Sequence, residues 1–281
     1  MKSKLNLYVM QLPFWKYEGA GNDFILIDNR RGEIQLQTEQ IRWLCDRHFG
    51  IGADGFISLL TAEGYDFAMQ YFNADGREGT MCGNGGRCLV DFAARLSLWQ
   101  ERCNFLAIDG PHQAYRMDNG WIALHMKDVN HIERTYDTAI LNTGSPHLVK
   151  YADHLDQIDV KAEGRKIRYS ERFAQEGINV NFIEYGQDAL LIRTYERGVE
   201  DETLACGTGI TAAALLAAGH EARTYRIPVQ ARGGRLEVRF KKIDDQHFTD
   251  IWLCGPANPV FTGTIDLSST AFQEFLQTIE S

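Results

Sequence analysis

The sequence predicts an α/β protein built from two similar halves, and three observations carry that expectation. A cysteine stands on a Gly-rich turn directly ahead of a helical pattern twice. Cys82-Gly-Asn-Gly-Gly-Arg-Cys88 leads into Leu89-Val-Asp-Phe-Ala-Ala-Arg-Leu96, and Cys206-Gly-Thr-Gly209 leads into Ile210-Thr-Ala-Ala-Ala-Leu-Leu-Ala-Ala218. Landmarks around these loops register at nearly one offset: Tyr71-Phe72-Asn73 over Tyr195-Glu196-Arg197, Glu78 over Glu202, and the Gly21–Phe24 loop over the Gly144–His147 turn. Between them, short alternating apolar runs are separated by Gly-rich turns, in a chain of 281 residues with 26 glycines. Self-similarity over about half the chain reads as an internal duplication. The halves are expected at residues 1–131 and 132–262, facing each other, each presenting one cysteine to a cleft, with 263–281 packing back on the first.

Taken in order, Phe14–Asp28 reads as strand, Gly loop, strand, with Asn22 just after the glycines. An asparagine there either tolerates an unusual turn backbone or offers its amide to a polar ligand, and the two readings stand level. Thr38–Arg47 is a short amphipathic helix with Thr38 as N-cap. A Gly loop over 49–55 enters the strand Phe56–Leu60, and Tyr65–Phe72 alternates as a strand ending at Asn73. Phe105–Ile108 and Trp121–Met126 are strands, and Ala139–Val149 is strand, turn, strand, with Ser145 and His147 flanking the Pro146 that fixes the turn. A lone turn histidine is ordinarily exposed; the register of His147 with the Asn22 loop moves it towards the cleft. Gly177–Glu184 alternates, which puts Asn179 and Asn181 on one strand face, an arrangement ordinarily solvated. Leu190–Gly198 ends in Glu196-Arg197. That pair is either a surface ion pair worth little or a carboxylate for an ammonium and a guanidinium for a carboxylate. Leu236–Phe240 and Ile251–Pro256 continue as strands, and Ser269–Thr278 is a final short helix.

Composition removes several classes of function. A net charge of −9 without a clustered Lys/Arg face argues against a nucleic-acid partner. No run of 18 apolar residues exists, so no spanning helix and no membrane partner are expected. Residues 1–10 are too short and polar a stretch for a signal peptide, and Met10 is a second candidate start. Six cysteines show neither CxxC pairing nor tight spacing with histidine, which argues against structural zinc and a disulfide framework and for a cytoplasmic protein with reduced thiols. Cys45, Cys88, Cys103 and Cys254 read as core residues.

Two cysteines at helix starts have few chemical uses. The positive end of a helix favours thiolate, and its first N–H groups form an anion site. A cysteine hydrolase needs one nucleophile with an oriented base, and a redox dithiol is normally CxxC. Acid–base work uses both thiols: one takes a proton from one face of a carbon and the other delivers one to the opposite face. The first-turn amides at Gly83, Asn84, Gly207 and Thr208 are candidate donors to a substrate carboxylate as a carbanion forms. No metal cluster, nucleotide fingerprint or Schiff-base lysine context appears, so proton transfer with no cofactor and no metal is expected.

At these residues the chain resembles a known family. Lys16-Tyr-Glu-Gly-Ala-Gly-Asn-Asp-Phe24, Asp46-Arg-His-Phe-Gly-Ile-Gly-Ala-Asp-Gly55, Asn73-Ala-Asp-Gly76 through Cys88, and Tyr195-Glu-Arg-Gly198 through Gly209 closely resemble the diaminopimelate epimerases, from about Phe14 to Gly263. The resemblance implies pyridoxal-independent interconversion of L,L- and meso-diaminopimelate in lysine and peptidoglycan biosynthesis. It also implies two pseudo-symmetric domains, each a β-barrel-like sheet around a central helix, and a homodimer acting on a small molecule. By motif, Cys82 and Cys206 resemble the acid/base pair. Gly83, Asn84, Gly207 and Thr208 resemble the α-carboxylate cradle; Asn22, Asn73, Asn179, Glu196 and Arg197 resemble substrate contacts; His147 and Glu202 resemble residues that tune or orient the thiols. Two departures stand out: Ser145 where many members have Asn, and Gly55 where some have Gln, each removing an amide from the expected pocket. A proline-racemase-type enzyme and a non-catalytic amino-acid-binding protein are the rival readings.

Overall fold

The alternating runs become strands and the two Gly-led runs become helices. The computed structural model describes residues 11–280; the readings on residues 1–10 lie outside them. In chain order the elements are β1 (Gln11–Gly19), β2 (Asn22–Asp28), α1 (Thr38–Cys45), β3 (Gly55–Leu60), β4 (Phe67–Asn73), α2 (Gly83–Arg95), β5 (Arg102–Ala107), β6 (Gly110–Arg116), β7 (Ile122–His125), β8 (Ile132–Arg134), β9 (Thr138–Asn142) and β10 (Pro146–Tyr151). There follow α3 (Val160–Arg168), β11 (Asn179–Tyr185), β12 (Leu190–Glu196), β13 (Asp201–Thr203), α4 (Gly207–Leu216), β14 (Thr224–Ala231), β15 (Gly234–Lys242), β16 (Phe248–Gly255), β17 (Asn258–Asp266) and α5 (Thr270–Glu280). They form two compact units, residues 11–19, 23–112 and 257–280 in the first and residues 20–22 and 113–256 in the second.

In the first unit β17 pairs antiparallel with β1, β1 with β2, β2 parallel with β3, β3 antiparallel with β4, and β4 parallel with β5. Helix α2 packs on β1, β3 and β4 and is buried from Asn84 through Ala93. A second cluster joins Leu12, Phe14, Ile41, Trp43, Leu44 and Phe56 to Phe275 of α5. The Gly loop before β3 is held by charge: Lys16 pairs with Asp23 at 2.7 Å, and Arg47 bridges Asp23 and Asp54 at 2.7 and 2.8 Å.

The second unit runs β8, β9, β10, β11, β12, β14, β15, β16, β7 as successive neighbours. Its helix α4 is buried at Gly207 and from Gly209 through Leu216 and packs against β9, β10, β11, β12, β14, β15 and β16, so the sheet wraps around it. A helix apolar on every side has no other stable place.

Both units repeat one connectivity. A paired β1–β2 is followed by parallel β3, antiparallel β4 and parallel β5, with α1 and α2 in the crossovers; antiparallel β9–β10 is followed by parallel β11, antiparallel β12 and parallel β14, with α3 and α4 in the crossovers. The mixed α/β class and the duplicated layout match the expectation. Two details differ. The cap of α1 is Gln37, not Thr38: the Gln37 N–H donates to Gln40 Oε1 at 2.9 Å, a reciprocal box that leaves Thr38 inside the first turn. Asn179 and Asn181 are buried rather than solvated, because β11 is a central strand paired on both edges. Among the described residues, no helix is long and apolar enough to cross a membrane.

Candidate active site

In the first unit Cys82 is the N-cap residue of α2, in extended backbone (φ −93°, ψ 124°), and its carbonyl accepts the first helical bond from the Gly86 N–H at 2.7 Å. The preceding amides, from Gly83 onward, therefore face outward from the helix end. Arg87, fully buried one turn later, donates from Nη2 to Asn84 Oδ1 at 2.9 Å and from Nη1 to the Gly83 carbonyl at 3.4 Å. A guanidinium thus fixes the side chain two residues after the cysteine. Asn73 closes β4 in a tight turn: its carbonyl accepts from Gly76 N–H and its N–H donates to the Arg77 carbonyl, both at 2.9 Å, with Gly76 left-handed (φ 83°). Gly55 is opposite Asn73 across β3 and β4. A Cβ at Gly55 would lie 2.6 Å from Cε2 of Tyr71 and one at Gly79 would lie 2.9 Å from Cε1, so the Tyr71 ring occupies space that two glycines leave.

In the second unit Cys206 is the buried N-cap residue of α4, again extended (φ −110°, ψ 110°), with Ile210 N–H donating to its carbonyl at 2.8 Å. Thr208 stands two residues on. Its Oγ1 is 3.5 Å from Cys206 Sγ and 2.8 Å from Nε2 of His147, and its carbonyl accepts from Thr143 Oγ1 at 2.8 Å. His147 is fully buried on β10; burial, aided by the Arg197 charge, lowers its pKa from 6.5 to about 3, so the ring is neutral. Behind it Asn181 lies 3.1 Å from Nδ1.

Asn22 opens β2 after a two-residue turn at Ala20 (φ 56°) and Gly21 (φ 86°), packed within the second unit against Gly233. Asn179 is fully engaged: Nδ2 donates to Ser145 Oγ at 2.9 Å and to the Pro146 carbonyl at 3.1 Å, and Oδ1 accepts the Arg197 N–H at 2.9 Å. The hydroxyl of Ser145 thus receives the bond that ties its turn to the Glu196–Arg197 corner. Glu196 accepts from Thr203 Oγ1 at 2.9 Å, and burial raises its pKa, so its anion gains from an arriving cation. Glu202 is clamped by Arg193 at 2.7 and 2.8 Å and by Arg232 at 2.9 Å. Ser145, Asn179 and Arg197 are linked in one hydrogen-bonded group and His147, Thr208 and Cys206 in another, while Glu202 is bound into arginines. Asn181 and Arg87 were missed as site residues by sequence reasoning. For Asn181 the signal was its shared face with Asn179; for Arg87 it was a helical spacing of three from Asn84. Among the described residues, no group of three His, Cys, Asp or Glu could hold a metal ion.

A family profile described as diaminopimelate epimerase matches residues 14–132 and again residues 139–258. The chain belongs to the diaminopimelate epimerase family. Diaminopimelate epimerase of Flavobacterium psychrophilum is 49% identical over 257 residues, covering 90% of this chain and 100% of the relative. That of Chlorobaculum tepidum is 45% identical over 260 residues, covering 89% and 99%. In fold the chain is similar to a Bacillus anthracis phenazine biosynthesis protein of the PhzF family, with TM-score 0.70 at 14% identity over 91% of this chain and 99% of that one. A likeness at that identity concerns the fold alone. The epimerase domain occurs twice, and each copy carries one of the cysteines that open a buried helix.

Proposed function

We propose that this chain interconverts L,L- and meso-diaminopimelate by proton transfer through Cys82 and Cys206, without a cofactor. The observation that carries the reading is that each copy of the repeated domain sets a cysteine at the N-cap of a buried helix. One cysteine, as thiolate, takes the α-proton; the other, as thiol, gives a proton to the opposite face of the same carbon. Charge that grows on the α-carboxylate as the carbanion forms is met by first-turn amides at Gly83, Asn84, Gly207 and Thr208. Glu196, whose anion burial disfavours, receives the distal ammonium, and Arg197 the distal carboxylate, with Asn22, Asn73 and Asn179 shaping that end. Ser145 and His147 act behind these groups, and Glu202 holds β12 and β13 together through its arginines. Family membership and the cysteine usage support a homodimer working in the cytoplasm.

The test is proton NMR in D2O, following α-deuterium incorporation into L,L-diaminopimelate under reducing conditions without pyridoxal phosphate, with L-proline in parallel. Exchange accompanied by meso product from diaminopimelate alone is expected. Exchange with proline only would move the chain to a proline-racemase-type activity, and silence with both would remove the two-thiol reading. Cys82→Ser and Cys206→Ser should each lower turnover by about 10²–10⁴-fold, the worth of a positioned acid or base.

A further inference from the structure

Asn181 is fully buried and every polar atom of its amide is assigned by its neighbours. The Leu148 carbonyl, 3.0 Å away, only accepts, so the atom facing it is the NH2 group; on the other side Thr194 Oγ1 donates to Oδ1 at 3.0 Å. The same NH2 meets Nδ1 of His147 at 3.1 Å, so Nδ1 accepts and carries no proton. With the ring neutral, its hydrogen is on Nε2 and is donated to Thr208 Oγ1 at 2.8 Å. That oxygen keeps its own hydrogen, which it gives to Cys206 Sγ, 3.5 Å away, when the sulfur is a thiolate. Gly209 leaves room for this chain: a Cβ there would lie 2.3 Å from Asn181 Oδ1. At the matching position of the first unit stands Asn84, which has no hydroxyl and whose oxygen accepts from Arg87.

We infer that Asn181 is a positioning residue that fixes the Nε2–H tautomer of His147 and, through Thr208, aims a hydroxyl hydrogen at Cys206, which favours the thiolate of that cysteine. The inference rests on the reading of the two cysteines as the bases, and its readouts need no substrate. In full-length Cys82→Ala protein labelled with 15N-histidine, two-bond 1H–15N spectra report the tautomer of His147, assigned against His147→Gln. Iodoacetamide at fixed neutral pH, followed by peptide mass spectrometry, reports the alkylation rate of Cys206. The parent should show the Nε2–H form. Asn181→Asp, whose carboxylate attracts a hydrogen onto Nδ1, should show the Nδ1–H form and slower alkylation of Cys206 by about tenfold, the worth of one hydrogen bond to an ionised acceptor. Thr208→Val should slow alkylation as much while keeping the tautomer, and the double variant should be no slower than Thr208→Val. With Cys82 restored, Asn181→Asp should lower kcat and leave KM unchanged. An Nδ1–H ring in the parent, or unchanged alkylation in Thr208→Val, overturns the inference. So does a tautomer change in Asn181→Asp with no effect on Cys206. If Asn181→Asp does not fold, the parent spectrum and Thr208→Val decide. Failure of diaminopimelate exchange in the unmutated protein would refute the proposed function and leave these thiol and tautomer results standing.

Discussion

At the scale of single residues, burial rather than residue type decides what each polar group near the cysteines does. His147 illustrates it. Its folded pKa of about 3 lies below the unfolded 6.5, so between those values the unfolded chain binds a proton that the folded chain refuses. Stability is therefore full above about pH 6.5 and falls as pH drops towards 3, by on the order of 5 kcal/mol from this group. Urea midpoints measured across that range should show the fall, and His147→Gln should flatten it; parallel curves for the two proteins would refute the assignment. The cysteines, the glycines after them and His147 are legible in the sequence because duplication marks their positions twice, whereas Asn179 stands out only through the resemblance to the family. Asn181 is not legible, since alternation places an asparagine on a face without saying whether that face meets water or a histidine.

At the scale of elements, close approach explains what composition obscures. Helix α3 carries a glycine in its middle, which costs about 1 kcal/mol of helix propensity against alanine. The helix packs on β11 and β12, and a Cβ at Gly164 would lie 2.4 Å from Cβ of Tyr195. Gly164→Ala should therefore destabilise by about 1–3 kcal/mol in spite of its better propensity, as overpacking does. A stabilised variant in equilibrium unfolding would show that α3 has slack against β12. The long alternating strands and the cysteine-led helices were readable from periodicity. Helix α3 was not read, although Asp159 caps it by accepting from Ala162 N–H at 3.0 Å. Its buried positions are few, Val160 and Gly164, so the segment reads as a polar stretch rather than as a core helix. Strand β17 is hidden in the sequence for a related reason: exposure runs along most of it, and alternation fades without a buried face.

At the scale of the whole chain, the repeated connectivity was legible as a spacing between cysteines, and it reappears as the same alternation of parallel and antiparallel partners in each unit. The return of the chain to the first unit is expected from the sequence over 263–281, whereas that unit takes the chain from residue 257, where β17 has no counterpart motif to mark the change. Phe275 is 3% exposed in a core otherwise built from residues before position 60. Phe275→Ala should cost about 3–5 kcal/mol in urea unfolding, as loss of a buried aromatic does; a near-zero change would mean that α5 is dispensable to that core.

The pairing of β1 with β17 also bears on how the chain is made. β1 leaves the ribosome long before its partner, so it waits with one edge unclaimed while residues 20–257 are made. The second unit, drawn almost wholly from 113–256, is complete before β17 emerges. The half made first is thus the half finished last, the reverse of the usual vectorial order. A chain truncated after Pro256 and released from the ribosome should resist protease across 113–256 and be cut within 11–112.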